Sequence, residues 1–559
     1  MKLLTKLWIV LIAALTLSSV PAFAQAPAQP AQLKSGAVAA PDKYGALAAR
    51  EVLKAGGNAV DAAVATAFTL AVTYPEAGNL GGGGFMTLYV DGKPYFLDYR
   101  ETAPAAATAT MYLDAKGDVT SHSLYGNLAA GVPGTVRGMA DAHKRFGKLP
   151  WKQVLAPAIR YARDGFTVSA DLIAYREEAN ANFTGLNFYA TFGAMKAGKL
   201  FRQPDLAATL QRIADTGATD FYDGKTADLL VAQMARGPAG IITRSDLAGY
   251  KAVWRDPIQA DWNGFRVITA PPPSSGGIAL LQLLMMKQSA STLFAGVTLN
   301  SPQYVHLVSE IEKRVFADRA EYLGDPDFVS VPVSALIDPT YSARRAAAID
   351  PSKPSPTPSI RPGLEKPQTT HFSIVDHWGN AVSNTYTLNG LFGSGVVVEG
   401  AGFLLNDEMD DFSAKPGAPN MFGVVGGDAN AIAPLKRPLS SMTPTILLKD
   451  GKVAMVIGTP GGSRIFTSIF QVLTNVYDFN LSLKKAQAQL RFHHQLLPEN
   501  TIYYEPFASF PAATAKALAD RGYKLERGFN GDIAAIQITN GKPTAVPDPR
   551  GRGVGMTTK

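Results

Sequence analysis

The sequence predicts an α+β protein in which two antiparallel sheets stack face to face with helices on both outer faces, an α-β-β-α sandwich. Three observations predict it. Apolar, strand-like runs are joined by two-residue turns at Asp91-Gly92, Asp450-Gly451 and Asn540-Gly541. Both residues of such a turn need positive φ, so these dipeptides mark hairpins. The turns are too short for the crossovers of a parallel sheet, which argues against a doubly wound fold. Helical patterns precede the first hairpin and fill most of residues 130–350.

The elements follow in order. Lys2 and Lys6 open a basic start, Leu7 to Leu17 is a short apolar run, and Ala22-Phe23-Ala24 is a small-residue cleavage site. Residues 1–24 therefore read as a signal peptide cut after Ala24, which predicts a periplasmic or secreted protein. No later stretch is long and apolar enough to span a bilayer, so no membrane anchor is expected. Residues 25–34 form an Ala/Pro/Gln tether. Tyr44 to Lys54 has helical spacing and stops at Gly56-Gly57. Asn58 can cap a second, Ala-rich helix to about Val72, apolar nearly all round and so deeply buried. Gly81 to Gly84 lead into strands Phe85–Val90 and Tyr95–Tyr99, and lack the Lys and Ser/Thr of a phosphate loop. Thr370–Val375 and Ala381–Leu388 flank Gly379-Asn380, and Ile446–Leu448 and Val453–Ile457 flank Asp450-Gly451. Ile533–Thr539 precedes Asn540-Gly541.

Composition narrows the chemistry. The chain has 559 residues, enough for several domains, with 46% hydrophobic and 18% charged residues, as in an ordinary globular protein. It has no cysteine, which removes thiol catalysis, disulfides and Cys-ligated metals. Net charge is +7, or +5 without the two lysines of the leader, and the basic residues are scattered, so no nucleic-acid partner is expected. His493-His494 lacks carboxylates at metal spacing and reads as structural, and no G-x-S-x-G elbow occurs. No cofactor or metal is implied.

One composition shift is abrupt. Residues 351–368 (PSKPSPTPSIRPGLEKPQ) hold six prolines and little to bury, so they read as an exposed, disordered segment. They feed directly into Thr369-Thr370-His371, the start of a strand. That layout suits a processing site. A threonine made N-terminal by cleavage can use its own α-amine as the base that activates its hydroxyl. Taken singly, the other candidates are ambiguous. Thr387 is a good strand former, Gly461-Gly462 can be a tight turn, and Arg100 or Asp411 can be half of a structural ion pair.

Residues 369–393 (TTHFSIVDHWGNAVSNTYTLNGLFG), with DYRETAP at 98–104, VPGTVRGM at 132–139, APPPSSGG at 270–277, NDEMDDFSAKPGAPN at 406–420, KRPLSSMTPT at 436–445 and GTPGGSRI at 458–465, resemble the γ-glutamyltransferases of the N-terminal-nucleophile hydrolases. The resemblance covers essentially the whole mature chain. It implies self-cleavage after Gln368 into a large chain, 25–368, and a small chain, 369–559, that stay together as a heterodimer. It implies Thr369 as nucleophile, Thr387 as its positioning partner, and Gly461 and Gly462 as the oxyanion hole. It implies that Arg100, Ser440 and Ser441 read the α-carboxylate of a γ-glutamyl donor such as glutathione. Asn389, Glu408 and Asp411 would receive its α-ammonium, with Thr387 and Gly462 alongside. Residues 412–426 match a loop that lids the pocket in many bacterial relatives. Where those often place Tyr, this chain has Phe422, which can cover but not donate a hydrogen bond. The acyl group would pass to water, an amino acid or a peptide. A cephalosporin (glutaryl) acylase on the same scaffold and a non-catalytic periplasmic amino-acid-binding protein are the competing readings.

Overall fold

The computed structural model describes residues 32–237, 239–356, 369–415 and 427–558. The leader, with its cleavage site, lies outside the described residues. Among those residues, no helix is long and apolar enough to cross a membrane.

The sandwich strands are β1 (Ala37–Ala40), β2 (Gly83–Val90), β3 (Lys93–Asp98), β4 (Val253–Arg255), β5 (Ile258–Trp262), β6 (Phe265–Thr269), β7 (Thr370–Val375), β8 (Ala381–Thr387), β9 (Thr445–Lys449), β10 (Lys452–Gly458), β11 (Ala534–Thr539), β12 (Lys542–Pro547) and β13 (Val554–Thr557). Among the described residues they form a seven-stranded sheet in the order β13-β1-β7-β8-β2-β3-β4 and a six-stranded sheet in the order β12-β11-β10-β9-β6-β5. Pairing is antiparallel throughout both. The hairpin turns have the expected backbone: Asp91, Asp450 and Asn540 sit at φ 50–51° and their following glycines at 71–76°.

Side-chain alternation sorts these strands into layers. Val38, Phe372, Ile374, Val382 and Tyr386 point outward into a core shared with the helices α1 (Lys43–Lys54) and α2 (Ala59–Thr73). Asn58 caps α2 in a reciprocal capping box with Asp61, and all fifteen residues of that helix are buried. Ala37, Ala39, Val375, Ile446, Val456 and Ile536 meet between the sheets. The second sheet's outer face packs on α3 (Gly276–Ser289), α4 (Pro302–Tyr322) and α5 (Arg464–Tyr477). The α-β-β-α order is thus present. Strands β4–β6 were not foreseen in the helix-rich stretch 130–350. They are only three to five residues long and punctuated by charge.

The proline-rich stretch departs from expectation at its start. Ser355 donates its hydroxyl to Glu310 at 2.5 Å, and its backbone N–H donates to the other Glu310 oxygen at 3.1 Å. Its carbonyl accepts from Lys313 at 3.1 Å. Residues 351–356 are therefore tied to α4 rather than disordered, because a buried carboxylate captures this one serine. Residues 357–368, including the proposed scissile bond's Gln368, lie outside the described residues.

Candidate active site

Strand β7 begins at Thr370, paired with Tyr386 on β8, so Thr369 and Thr387 adjoin across the hairpin. The same alternation that sends Phe372 outward turns Thr369, His371 and Ser373 toward the other sheet. His371 is bonded to Thr385 Oγ1 at 2.8 Å and Ser373 Oγ at 3.0 Å, and burial lowers its pKa to about 3. It is neutral and occupied, and so unsuited to act as a base for Thr369.

Thr369 and Thr387 open on a small cavity with Arg100, Arg319, Asn389, Asp411, Ser440, Ser441 and Gly462 in its wall. Most of the residues expected at one site therefore meet in one place. Gly461 sits one residue behind the wall. A larger groove among the hairpin tips, lined by Lys449, Lys452 and Ile538 among others, gathers none of these groups.

Gly461 (φ 140°) and Gly462 (φ 54°) adopt backbone that favours glycine. They deliver the chain into α5, whose first turn has no side-chain cap. Gly462 and Ile465 line the cavity that holds Thr369, while the Arg464 and Ile465 N–H groups donate to the Gly461 and Gly462 carbonyls at 3.0 and 3.1 Å.

Arg100 follows β3 and is fully buried. It ion-pairs with Glu408 at 2.5 Å, with Asp411, and with Glu101 at 3.5 Å. The expected carboxylate reader and ammonium receivers thus contact one another directly. Burial works against the Arg100 charge, but Glu408, Asp411 and Glu101 outweigh it and hold the guanidinium above its ordinary pKa. The acids respond in the opposite sense. Burial, only partly offset by Arg100, lifts Glu101 to about 8 and pushes Glu408 and Asp411 up. Oε1 of Glu101 is buried with no hydrogen-bond partner. Arg100 thus meets three carboxyl groups that burial draws toward their neutral forms, and Arg319 also acts on Asp411 to favour its ionised form.

The remaining donors are aimed by the backbone. Asn389 (φ 79°) donates its side-chain N–H to Asp407 O at 3.0 Å, and its backbone N–H donates to Thr387 Oγ1 at 2.8 Å. Ser440 Oγ accepts from the Met442 N–H at 3.2 Å, and Ser441 Oγ accepts from Arg319 at 3.1 Å. The SSGG of residues 274–277 braces this strap. Ser275 N–H donates to Ser440 O at 2.7 Å, and a Cβ on Gly276 would fall 1.9 Å from Thr443 Oγ1.

His493 and His494 are buried, bonded within the chain and held well below their ordinary pKa by burial, in keeping with a structural role. Phe422 and residues 416–426 of the expected lid lie outside the described residues. Arg319 was missed by sequence reasoning. Its signal is a helix, α4, in which charges interleave with apolar residues on every face.

Residues 45–558 match the family model described as gamma-glutamyltranspeptidase. A glutathione hydrolase proenzyme of Pseudomonas aeruginosa is 64% identical over 98% of this chain and 99% of its own length. One of Escherichia coli is 44% identical over 93% and 91%. The cephalosporin acylase of Bacillus halodurans superimposes with a TM-score of 0.81 at 28% identity, covering 97% of this chain and 99% of that one. This chain belongs to the gamma-glutamyltranspeptidase family.

Proposed function

We propose that the chain is the precursor of a γ-glutamyltransferase with glutathione hydrolase activity, cut before Thr369 and working through an acyl-threonine intermediate. The observation that carries this reading is the convergence of Thr369, the Arg100–Asp411 ion pair and Gly462 on one cavity. The activity agrees with the names of the most similar relatives, glutathione hydrolase proenzymes.

In this reading the α-amine freed at Thr369 takes the hydroxyl proton, since the one nearby imidazole, His371, is engaged and neutral. The Thr369 oxygen attacks the γ-carbonyl, and N–H groups at Gly461-Gly462 receive the charge that develops; as the adduct collapses the γ-amide C–N bond breaks, and the departing amine takes the proton that the α-amine had accepted. Arg100, Ser440 and Ser441 hold the α-carboxylate. Asp411, Glu408 and Asn389 hold the α-ammonium. Residues 25–368 and 369–559 form the two chains of a heterodimer. A solved chain of the Pseudomonas nitroreducens gamma-glutamyltranspeptidase, 62% identical, covers 59% of this chain and 99% of its own length, about the share expected of a large chain. The leader directs the protein to the periplasm or beyond.

A glutaryl donor carries no α-ammonium, so the surplus of carboxylates speaks against the acylase reading. The acylase relative from Pseudomonas is 36% identical. The test is glutamate release from glutathione, with and without glycylglycine. Release, with part of the acyl group diverted to γ-glutamyl-glycylglycine, supports the proposal. Faster turnover of glutaryl-cephalosporin than of glutathione would overturn it.

A further inference from the structure

Asn79 lies just before the Gly81–Gly84 stretch and is almost fully buried. Its amide is saturated within the chain. Nδ2 donates to Ala77 O at 3.0 Å and to Thr387 O at 2.8 Å. Oδ1 accepts from the Gly82 N–H at 3.0 Å and from the Thr135 hydroxyl at 2.6 Å. Two carbonyls face one end of the amide and a backbone N–H faces the other, so its partners fix its orientation. Gly82 permits the close approach, since a Cβ there would fall 2.1 Å from Thr387 O. The Gly82 carbonyl accepts in turn from the Gly134 and Thr135 N–H groups, at 2.8 and 3.0 Å, where the helix Thr135–Phe146 begins. GNLGGGG at 78–84 and VPGTVRGM at 132–139 thus close together on Thr387, the last residue of β8. Thr387 shares the cavity wall with Thr369. The turn beyond it has its own support: Asn389 Nδ2 donates to Asp407 O at 3.0 Å, and the Gly390 N–H donates to Asp407 Oδ1 at 2.8 Å.

We propose that Asn79 is a positioning residue for the nucleophile's neighbour: by tying the Thr387 carbonyl to the Gly82–Thr135 corner it sets where Thr387 stands beside Thr369. The inference rests on the reading above in which Thr369 is the nucleophile. It makes two loops of the large chain part of the frame that aims a small-chain hydroxyl. Displacing Thr387 spoils the alignment of the reacting groups while the Arg100 cluster stays in place, so the loss falls on the chemical step rather than on donor binding.

Steady-state kinetics of processed protein on γ-glutamyl-p-nitroanilide separate this role from mere packing. Asn79→Asp is isosteric and keeps both acceptor bonds, but it turns a carboxyl oxygen toward the Ala77 and Thr387 carbonyls. It should lower kcat by roughly 10- to 100-fold and leave KM within about threefold. Self-cleavage of its precursor, followed by pulse-chase on a denaturing gel, should slow as well, because the same Thr369 hydroxyl attacks. Thr135→Val removes the hydroxyl that steadies Asn79 Oδ1 and should lower kcat by about three- to tenfold, again with KM kept. Thr135→Ser keeps that hydroxyl and should stay within about twofold of the wild type. If Asn79→Asp does not accumulate as processed protein, the Thr135 pair decides by the same criteria. Unchanged kcat in Asn79→Asp, a rise in KM as large as the fall in kcat, or a Thr135→Ser as impaired as Thr135→Val would overturn the inference alone. A Thr369→Ala variant that kept its activity would overturn the reading of Thr369 as nucleophile, and this inference with it.

Discussion

Two buried ionic clusters contact the same helix α4 or its neighbours, and they are built on opposite rules. Around Glu310, one carboxylate meets two cations, Lys313 at 3.0 Å and Arg314 at 2.9 Å, and Ser355 besides. Burial acts to raise the Glu310 pKa, but Lys313, Ser355 and Arg314 together hold it below its ordinary value. Around Arg100 one cation meets three carboxylates, and burial pushes all three acids up. The first cluster is closed and ties down a chain segment. The second holds more carboxyl groups than Arg100 can pair, and its Asp411 reaches the cavity where the proposed reading puts the donor's α-ammonium. Buried charge alone does not mark a site; an imbalance facing a cavity does.

The largest expected effect falls on the closed cluster. Glu310→Ala leaves Lys313 and Arg314 buried without their carboxylate and should cost about 3–5 kcal/mol of stability in chemical denaturation. Its pH dependence has a definite sign. The folded pKa of Glu310 is depressed, so its contribution is present above the ordinary carboxylate range and is lost as pH falls through the folded value. The gap between wild type and variant should therefore close in acid. A gap unchanged from pH 7 to 3 would contradict the ion-pair account. Protein that survives the substitution should keep kcat/KM within a few-fold.

Arg100→Ala should do the reverse. Truncating one member of a buried charged set that meets a ligand costs about 2–5 kcal/mol, or roughly 30- to 5,000-fold in kcat/KM for glutathione. Cleavage into two chains should persist, as seen on a denaturing gel. Near-normal kcat/KM in processed Arg100→Ala would make this cluster structural like the other, and the comparison would collapse.

Ser355→Ala gives the smallest effect. It removes one hydroxyl shared by Glu310 and Arg314 and should lower stability by about 1 kcal/mol, with glutathione turnover unchanged. A several-fold change in turnover would show that the anchor reaches the active site.

These contrasts also show what sequence can carry. The hairpins were legible because Asp-Gly and Asn-Gly turns fix their own geometry. A processing-site layout was legible because a strand beginning at Thr370 follows a run with little to bury, while Thr369 as nucleophile came with the family resemblance. The head-group residues came only with the family resemblance, since Arg100 and Asp411 are 311 positions apart and meet through the fold. Strands β4–β6 stayed hidden because so few residues carry too little period. Arg319 stayed hidden because its partners, Ser275 and Ser441, are supplied by distant loops. Ser355 was misread because a proline-rich composition predicts no burial, while a single hydroxyl suffices to anchor it once Glu310 is in place.

The central claim is that Thr369 makes and then performs the chemistry. N-terminal sequencing of the smaller chain of purified protein tests it most directly, with Thr369→Ala alongside. The account predicts a small chain beginning Thr369-Thr370-His371 in the wild type, and a single uncut, inactive chain in the variant. A small chain with another first residue, or an uncut wild type that releases glutamate from glutathione at full rate, would contradict it.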